Sequence, residues 1–168
     1  MRKKVFAILS PELTSIKDSF MEKENNIIIR PATIDDARRL FEWRNDPETR
    51  NQSINTKEVV WDSHLEWLKN SLVNPNRRIM IALEGDEPVG TVRLDIEGLR
   101  REISWTVAPF ARGRGLGALM VKRALETFDK PIIARIKPEN IASVKLALQV
   151  GFRKTDENPE MTEWVYDL

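Results

Sequence analysis

The stretch APFARGRGLGALMVKRALETF, Ala108 to Phe128, leaves the chain few ways to fold. Three glycines and two arginines fall within six residues, and an apolar-periodic helix pattern follows at once. The apolar run REISWTV precedes it and stops at Pro109, so the order is strand, flexible cationic turn, helix. A helix N-terminus exposes unpaired N–H groups and carries partial positive charge, which favours an anion. Gly113, Gly115 and Gly117 allow close backbone approach, while Arg112 and Arg114 add fork-shaped donors. Two readings stand: a phosphate or pyrophosphate cradle, or a tight turn with solvated arginines.

The flanking patterns set the architecture. IIIRP, Ile27 to Pro31, is a strand stopped by proline. Thr33 can cap the helix that follows, with Asp36 in its first turn. Ala37, Leu40, Phe41 and Arg44 share a face of that helix, and Pro47 ends it. Thr56 to Leu72 reads as a second helix with Val60, His64, Trp67 and Leu68 on related faces. Arg78–Glu84 and Pro88–Ile96 form a hairpin around Gly85-Asp86. After the glycine turn come a helix over 116–128, the strand PIIARI, the helix PENIASVKLALQVGF closed by Gly151, and the strand TEWVYDL. The alternation predicts a mixed α/β fold over residues 26–168, with residues 1–25 as an N-terminal extension of open role.

Composition narrows the function. With 168 residues the chain suits one domain, and a net charge of +1 gives no global pull toward nucleic acid or membrane. Absent cysteine and a single histidine, His64, argue against disulfides and against a thiolate or multi-histidine metal site. MRKKVFAILS has the charge of a secretion signal, but its apolar stretch is only Val5 to Leu9, so a cytoplasmic protein is expected. The glycine turn lacks the Lys-Ser or Lys-Thr of a nucleoside-triphosphate loop. It also lacks the glycine spacing of a dinucleotide fingerprint.

Arg112-Gly113-Arg114-Gly115-Leu116-Gly117 resembles the Q/R-x-x-G-x-G/A motif of the GNAT superfamily of acetyl-coenzyme A-dependent N-acetyltransferases. EISWTV resembles that family's fourth strand, and NIASVKLALQVGF its N-x-x-S…G-F segment. The resemblance runs from about Ile27 to the C-terminus. It implies a mixed central sheet with helices on both faces and splayed fourth and fifth strands. It further implies acetyl-coenzyme A as cosubstrate, no metal, and acetyl transfer to a primary amine by direct attack through a tetrahedral intermediate.

Residue by residue, the resemblance assigns the pyrophosphate to the backbone of Arg112, Gly113, Arg114, Gly115, Leu116, Gly117 and Ala118. It lays the pantetheine arm along Trp105, Thr106 and Val107, with the Val107 N–H polarising the thioester carbonyl. Asn140 is a coenzyme-binding residue. Glu102 matches a position where a glutamate removes a proton; the alternative is a strand glutamate paired with Arg100, Arg101 or Arg93. Deprotonating a lysine-like amine of pKa about 10.4 at pH 7 costs roughly 4–5 kcal/mol, against about 1–1.5 kcal/mol for an amine near 8. A weakly basic acceptor therefore asks little of a base. The usual acid, a tyrosine four residues before the glycine of GF, is replaced by Ala147; Ser143 is the substitute, with solvent as the alternative.

The Trp43-Arg44-Asn45 segment and the later His64-x-x-Trp67 resemble the branch that acetylates nucleotide-linked amino sugars. Arg44, Asn45, His64 and Trp67 are then substrate-binding; alternatively they pack and cap. Arg30, Arg44 and Arg93, if they converge, favour a nucleotide sugar over a peptide. Ser143 is similar to a serine of the protein N-terminal acetyltransferase branch, which is the second reading, and a non-catalytic acyl-coenzyme A sensor is the third. The expected partner is a small-molecule amine, with no nucleic acid or membrane, for a monomer or homodimer.

Overall fold

The structure, a computed structural model, describes residues 27–168, so the expected extension over residues 1–25 lies outside the described residues. In chain order the elements are β1 (Ile27–Pro31), α1 (Ala37–Asn45), α2 (Pro47–Gln52), α3 (Trp61–Leu72), β2 (Arg77–Glu84), β3 (Glu87–Glu97), β4 (Arg100–Val107), α4 (Leu116–Leu125), β5 (Ile132–Ile136), α5 (Ile141–Val150), β6 (Arg153–Lys154) and β7 (Thr162–Tyr166). Single 3-10 turns precede α1 at Ile34–Asp36 and follow β4 at Pro109–Ala111.

The strands form one seven-stranded sheet in the order β1-β2-β3-β4-β5-β7-β6. All neighbours are antiparallel except β4 and β5, which are joined through α4. That pair meets at one register position, Glu102 opposite Ile133, and then runs apart. The expected splay of the fourth and fifth strands is therefore present.

Helices cover both faces, and strand alternation shows why. A side chain at Gly90 would point at Met120 of α4, so Val92 and Leu94 of β3 share the α4 side. Their β4 partners Trp105 and Ile103 lie on that side too. Arg93, Asp95 and Thr91 point the other way, as do Ile79 and Ile81 of β2, toward the α1 and α3 side. Both sets contain fully buried residues, which is why the middle of β2, IMIAL, is a continuous apolar run. Among the described residues no helix is long and apolar enough to cross a membrane.

Three boundaries differ from expectation. Pro47 does not merely end α1: it opens α2, because the Asp46 side chain accepts from the Thr49 N–H and proline suits the first helical position. The second long helix starts at Trp61, not Thr56, since the preceding segment is held extended by Asn45. The helix after the glycine turn stops at Leu125, short of Phe128. Gly151 does close α5, in the left-handed region at φ 106°.

Candidate functional site

The turn before α4 is built on two left-handed glycines. Gly113 has φ 73° and Gly115, the residue capping α4, has φ 79°. A Cβ at either would meet nothing within 4 Å, so the space above them is open to a ligand. No side chain caps α4, and its first N–H groups point into that space. Gly117 does something else. A Cβ there would lie 2.8 Å from Leu146 and 3.1 Å from Val107, so this glycine lets α4 pack tightly against α5 and β4.

The arginines of the turn are paired with carboxylates rather than solvated. Arg112 donates to Asp46 at 2.6 Å, Glu48 at 2.9 Å and the Thr49 hydroxyl at 2.8 Å. Burial pushes the Asp46 carboxyl up, but bonds from Arg112 and Thr49 outweigh it and hold it below its ordinary value. Arg114 pairs with Glu84 at the end of β2. Arg112 is thus a latch between the turn and α2. On the far side Lys137, just past β5, donates to the Asn51 carbonyl of α2 at 3.0 Å. Helix α2 is consequently tied to the residues that follow both splayed strands. Asp46-Pro47-Glu48 carries a helix-start signature that could have revealed this element from sequence.

Between β4 and β5 the backbone has a definite phase. Ala108 donates to the Val89 carbonyl at 2.8 Å, so alternate residues of β4 bond toward β3. By alternation the N–H groups of Val107 and Trp105 face the splay, while that of Thr106 faces β3. Two of the three residues expected along the arm therefore offer backbone donors to it, and Thr106 does not. The Trp105 ring packs 6.2 Å from Phe152, which itself meets Tyr166 in a tilted contact at 5.4 Å.

Glu102 sits at the vertex of the splay. Its carboxylate accepts from Arg135 Nε at 2.9 Å and lies 3.6 Å from Arg100, which also binds Glu163 at 2.9 Å. The ion-pair alternative is thus realised, with Arg135 as a partner that sequence did not suggest. Five residues of extended strand, about 16 Å, separate Glu102 from Val107. The expected base and the expected carbonyl polariser do not meet. Ser143 donates its backbone N–H to the Asn140 side-chain oxygen at 3.0 Å, so Asn140 caps α5 and keeps its amide NH₂ group for other work. Ala147 is fully buried, which leaves no room there for the usual tyrosine.

The expected acceptor residues divide. His64 is 3% exposed, its Nε2 donates to the Ala37 carbonyl at 2.9 Å, and Phe41, Trp61 and Trp67 surround its ring. Burial, opposed by that bond, pushes its pKa down. Trp67 also lies under the Arg77 guanidinium, 5.8 Å away. Both residues are on α3, which packs on β2, two strands from β4. His64 therefore packs within an apolar helix face, the alternative reading of that residue, while Trp67 is half-buried beside it. Asn45 exchanges two 2.8 Å bonds with the Val59 backbone and so clamps the segment before α3. Its side-chain oxygen and nitrogen are both engaged in this clamp. Arg30 turns away to Asp36, at 2.7 and 2.8 Å.

Arg44 lies half-buried in the last turn of α1. Its Nη2 donates to the Asn55 carbonyl at 2.6 Å, and its buried Nη1 has no acceptor among the described residues. Burial first, then Arg50 and Arg93, hold the guanidinium below its usual range. Arg50 was not foreseen, because the helix that carries it was not. Among the described residues no group of three or more His, Cys, Asp or Glu side chains gathers to hold a metal.

The acetyltransferase (GNAT) domain family matches residues 26–153. An uncharacterized protein of Methanocaldococcus jannaschii is 30% identical over 155 residues, which cover 87% of this chain and 32% of that protein. The chain spans about a third of that curated relative's length. The crystal structure of a domain from the same organism aligns with a TM-score of 0.72 at 27% identity, covering 84% of this chain and 98% of that one. Spermidine N-acetyltransferase from Vibrio cholerae, in complex with CoA and spermine, aligns with a TM-score of 0.77 at 17% identity, over 85% and 96% of the two chains. With a splayed sheet, a left-handed glycine turn opening α4 and the family matched across most of its length, this chain belongs to the GNAT acetyltransferase family.

Proposed function

We propose that the protein transfers an acetyl group from acetyl-coenzyme A to the primary amine of a small molecule, the amino group of a nucleotide-linked amino sugar. The observation that carries the reading is the pairing of two features. One is the uncapped, glycine-lined N-terminus of α4; the other is the pair of β4 N–H groups facing the splay. An anion fits the first, because nothing occupies the space a Cβ would fill at Gly113 and Gly115. An extended amide chain fits the second as an added strand.

When bound, the cosubstrate supplies the acyl group as a thioester. The protein's part is orientation and charge. The N–H groups of residues 114–118 hold the pyrophosphate, and Gly117 keeps α4 close enough to β4 for both contacts to be made at once. The Val107 N–H stabilises negative charge developing on the carbonyl oxygen, and the Trp105 N–H, two residues back along the strand, bonds the arm. The Asn140 amide is free to bind the arm, since only its oxygen is used in capping. Glu102, held by Arg135 and Arg100, fixes where the strands part, and the amine gives up its proton to water. That route suits an amine of modest pKa. Ser143, beside Asn140 at the start of α5, is the group we assign to protonate the leaving thiolate.

The test is free-thiol release from acetyl-coenzyme A with nucleotide-linked amino sugars, free amino sugars, polyamines and short peptides with free N-termini. Turnover with the nucleotide-linked sugars alone is the expected result. Turnover with peptides alone moves the protein to the N-terminal acetyltransferase reading. Coenzyme binding without turnover on any acceptor favours the sensor.

A further inference from the structure

Three guanidiniums gather on the α1 side of the sheet with too few acceptors to satisfy them. Arg44 comes from the last turn of α1, Arg50 from α2 and Arg93 from the middle of β3. Arg44 Nη1 and Arg50 Nε are buried and have no hydrogen-bond partner among the described residues. Arg93 Nε lies 2.8 Å from Asp95, an ion pair without hydrogen-bond alignment, and Asp95 is shared with Arg77. The other nearby carboxylate, Glu58, is 3.7 Å from Arg50 and 73% exposed, so it neutralises little. Three like charges are thus held together by the fold against their mutual repulsion. Buried donors without partners are costly, and such an arrangement is retained where a ligand completes it.

The cluster is adjacent to the reaction centre assigned above. Arg93 stands opposite Ser104 on β4, three residues before Val107 and about 10 Å along the strand. Arg50 follows Thr49, which receives the Arg112 bond from the glycine turn. One hexose ring with a phosphate at its anomeric carbon bridges such a span. Fork-shaped guanidiniums match phosphoryl oxygens bidentately.

We propose that Arg44, Arg50 and Arg93 form the acceptor's anion site and bind its phosphoryl groups. This rests on the acetyltransferase reading for its placement of the amine, and it assigns recognition of that acceptor's phosphoryl groups to three named residues. It sets this protein apart from a polyamine enzyme, since three guanidiniums repel a polycation. Arg50 and Arg93 thereby become specificity residues.

The experiment is a calorimetric titration of inorganic pyrophosphate into the full chain saturated with coenzyme A, so that the glycine turn is already filled. Arg50→Gln and Arg93→Gln are titrated beside it, and a nucleoside diphosphate, a sugar 1-phosphate and spermine are run as further arms. We expect salt-sensitive pyrophosphate binding, weakened at least about tenfold in each variant, and no binding of spermine. The nucleoside diphosphate binding more tightly than the sugar phosphate identifies the source as a nucleotide. Pyrophosphate that fails to bind, or binds both variants as well as wild type, overturns the proposal.

Thermal unfolding of the ligand-free proteins gives a second readout. A poised anion site predicts that Arg50→Gln melts no lower than wild type, because repulsion is relieved. A lower midpoint assigns Arg50 to structure and also overturns the proposal. If coenzyme A itself does not bind, the acetyltransferase reading fails. The pyrophosphate titration repeated on Gly115→Asp, with a carboxylate at the turn, then still reports on the arginines alone.

Discussion

Single residues in this protein are fixed by what stands next to them, and the glycines are the clearest case. Gly90 occupies the middle of a strand, where glycine is normally unfavourable. A Cβ there would lie 2.6 Å from the Thr106 carbonyl oxygen and 2.7 Å from the Met120 sulfur. Gly90→Ala is therefore expected to lower stability by about 1–3 kcal/mol, read from the urea midpoint, because a backbone oxygen cannot step aside. His64 makes a pH-dependent contribution. Its pKa is depressed in the fold by burial, so below the unfolded value of about 6.5 the unfolded chain binds the extra proton. Stability then falls as pH drops through that value and on toward the folded pKa. Unfolding midpoints between pH 7.5 and 5 should show this loss in wild type and a smaller one in His64→Gln. Glu102 is tested through its pH profile. Glu102→Gln should lower activity evenly across pH, as expected of a residue that holds β4 to β5. A loss concentrated at low pH would restore it as the base.

At the scale of elements, α2 explains how a loop becomes a site. It is only six residues long and buries no side chain fully, yet it joins the glycine turn to the end of β5. Its stability comes from Asp46, Pro47 and the Arg112 latch rather than from packing. Arg112→Met should free it. Amide exchange across residues 46–52 should accelerate by about tenfold or more, and the KM for acetyl-coenzyme A should rise more than kcat falls. The latch is also acid-sensitive. With the Asp46 pKa depressed, its contribution is whole above about pH 4 and is lost as pH falls through the folded value.

For the molecule as a whole, the sheet, α4 and the glycine turn are one mechanical unit. The turn is closed by β4 on one side and by α4 packed on β1, β3 and α5 on the other. Coenzyme A binding should thus stabilise the fold by mass action, by about 2.7 kcal/mol at a hundredfold excess over Kd. A scan of melting temperature against coenzyme A concentration checks this. Gly115→Asp should abolish the rise, since its carboxylate faces the pyrophosphate and its side chain must adopt a left-handed backbone.

Local chemistry was legible in the amino-acid sequence. Glycines before an apolar helix announced a left-handed, uncapped turn. Gly85-Asp86 announced the hairpin, and Gly151 the end of α5. These features depend on the dihedral freedom of one residue and on periodicity over a few turns, and both are written in neighbouring letters. What a polar side chain does was decided elsewhere. Asn45 and His64 have the composition of a binding site, yet Asn45 clamps the Val59 backbone and His64 is buried on a packed helix face. Arg112 has the composition of a phosphate ligand but finds its carboxylate acceptors on α2, over sixty residues earlier. Arg44, Arg50 and Arg93 lie far apart in the chain and become one charged cluster only where α1, α2 and β3 converge. Backbone conformation is a short-range property, so the sequence determined the turn, the elements and the family's motif. Charge pairing and burial act across space, so the tertiary structure alone decided which arginines latch the fold and which are left short of acceptors.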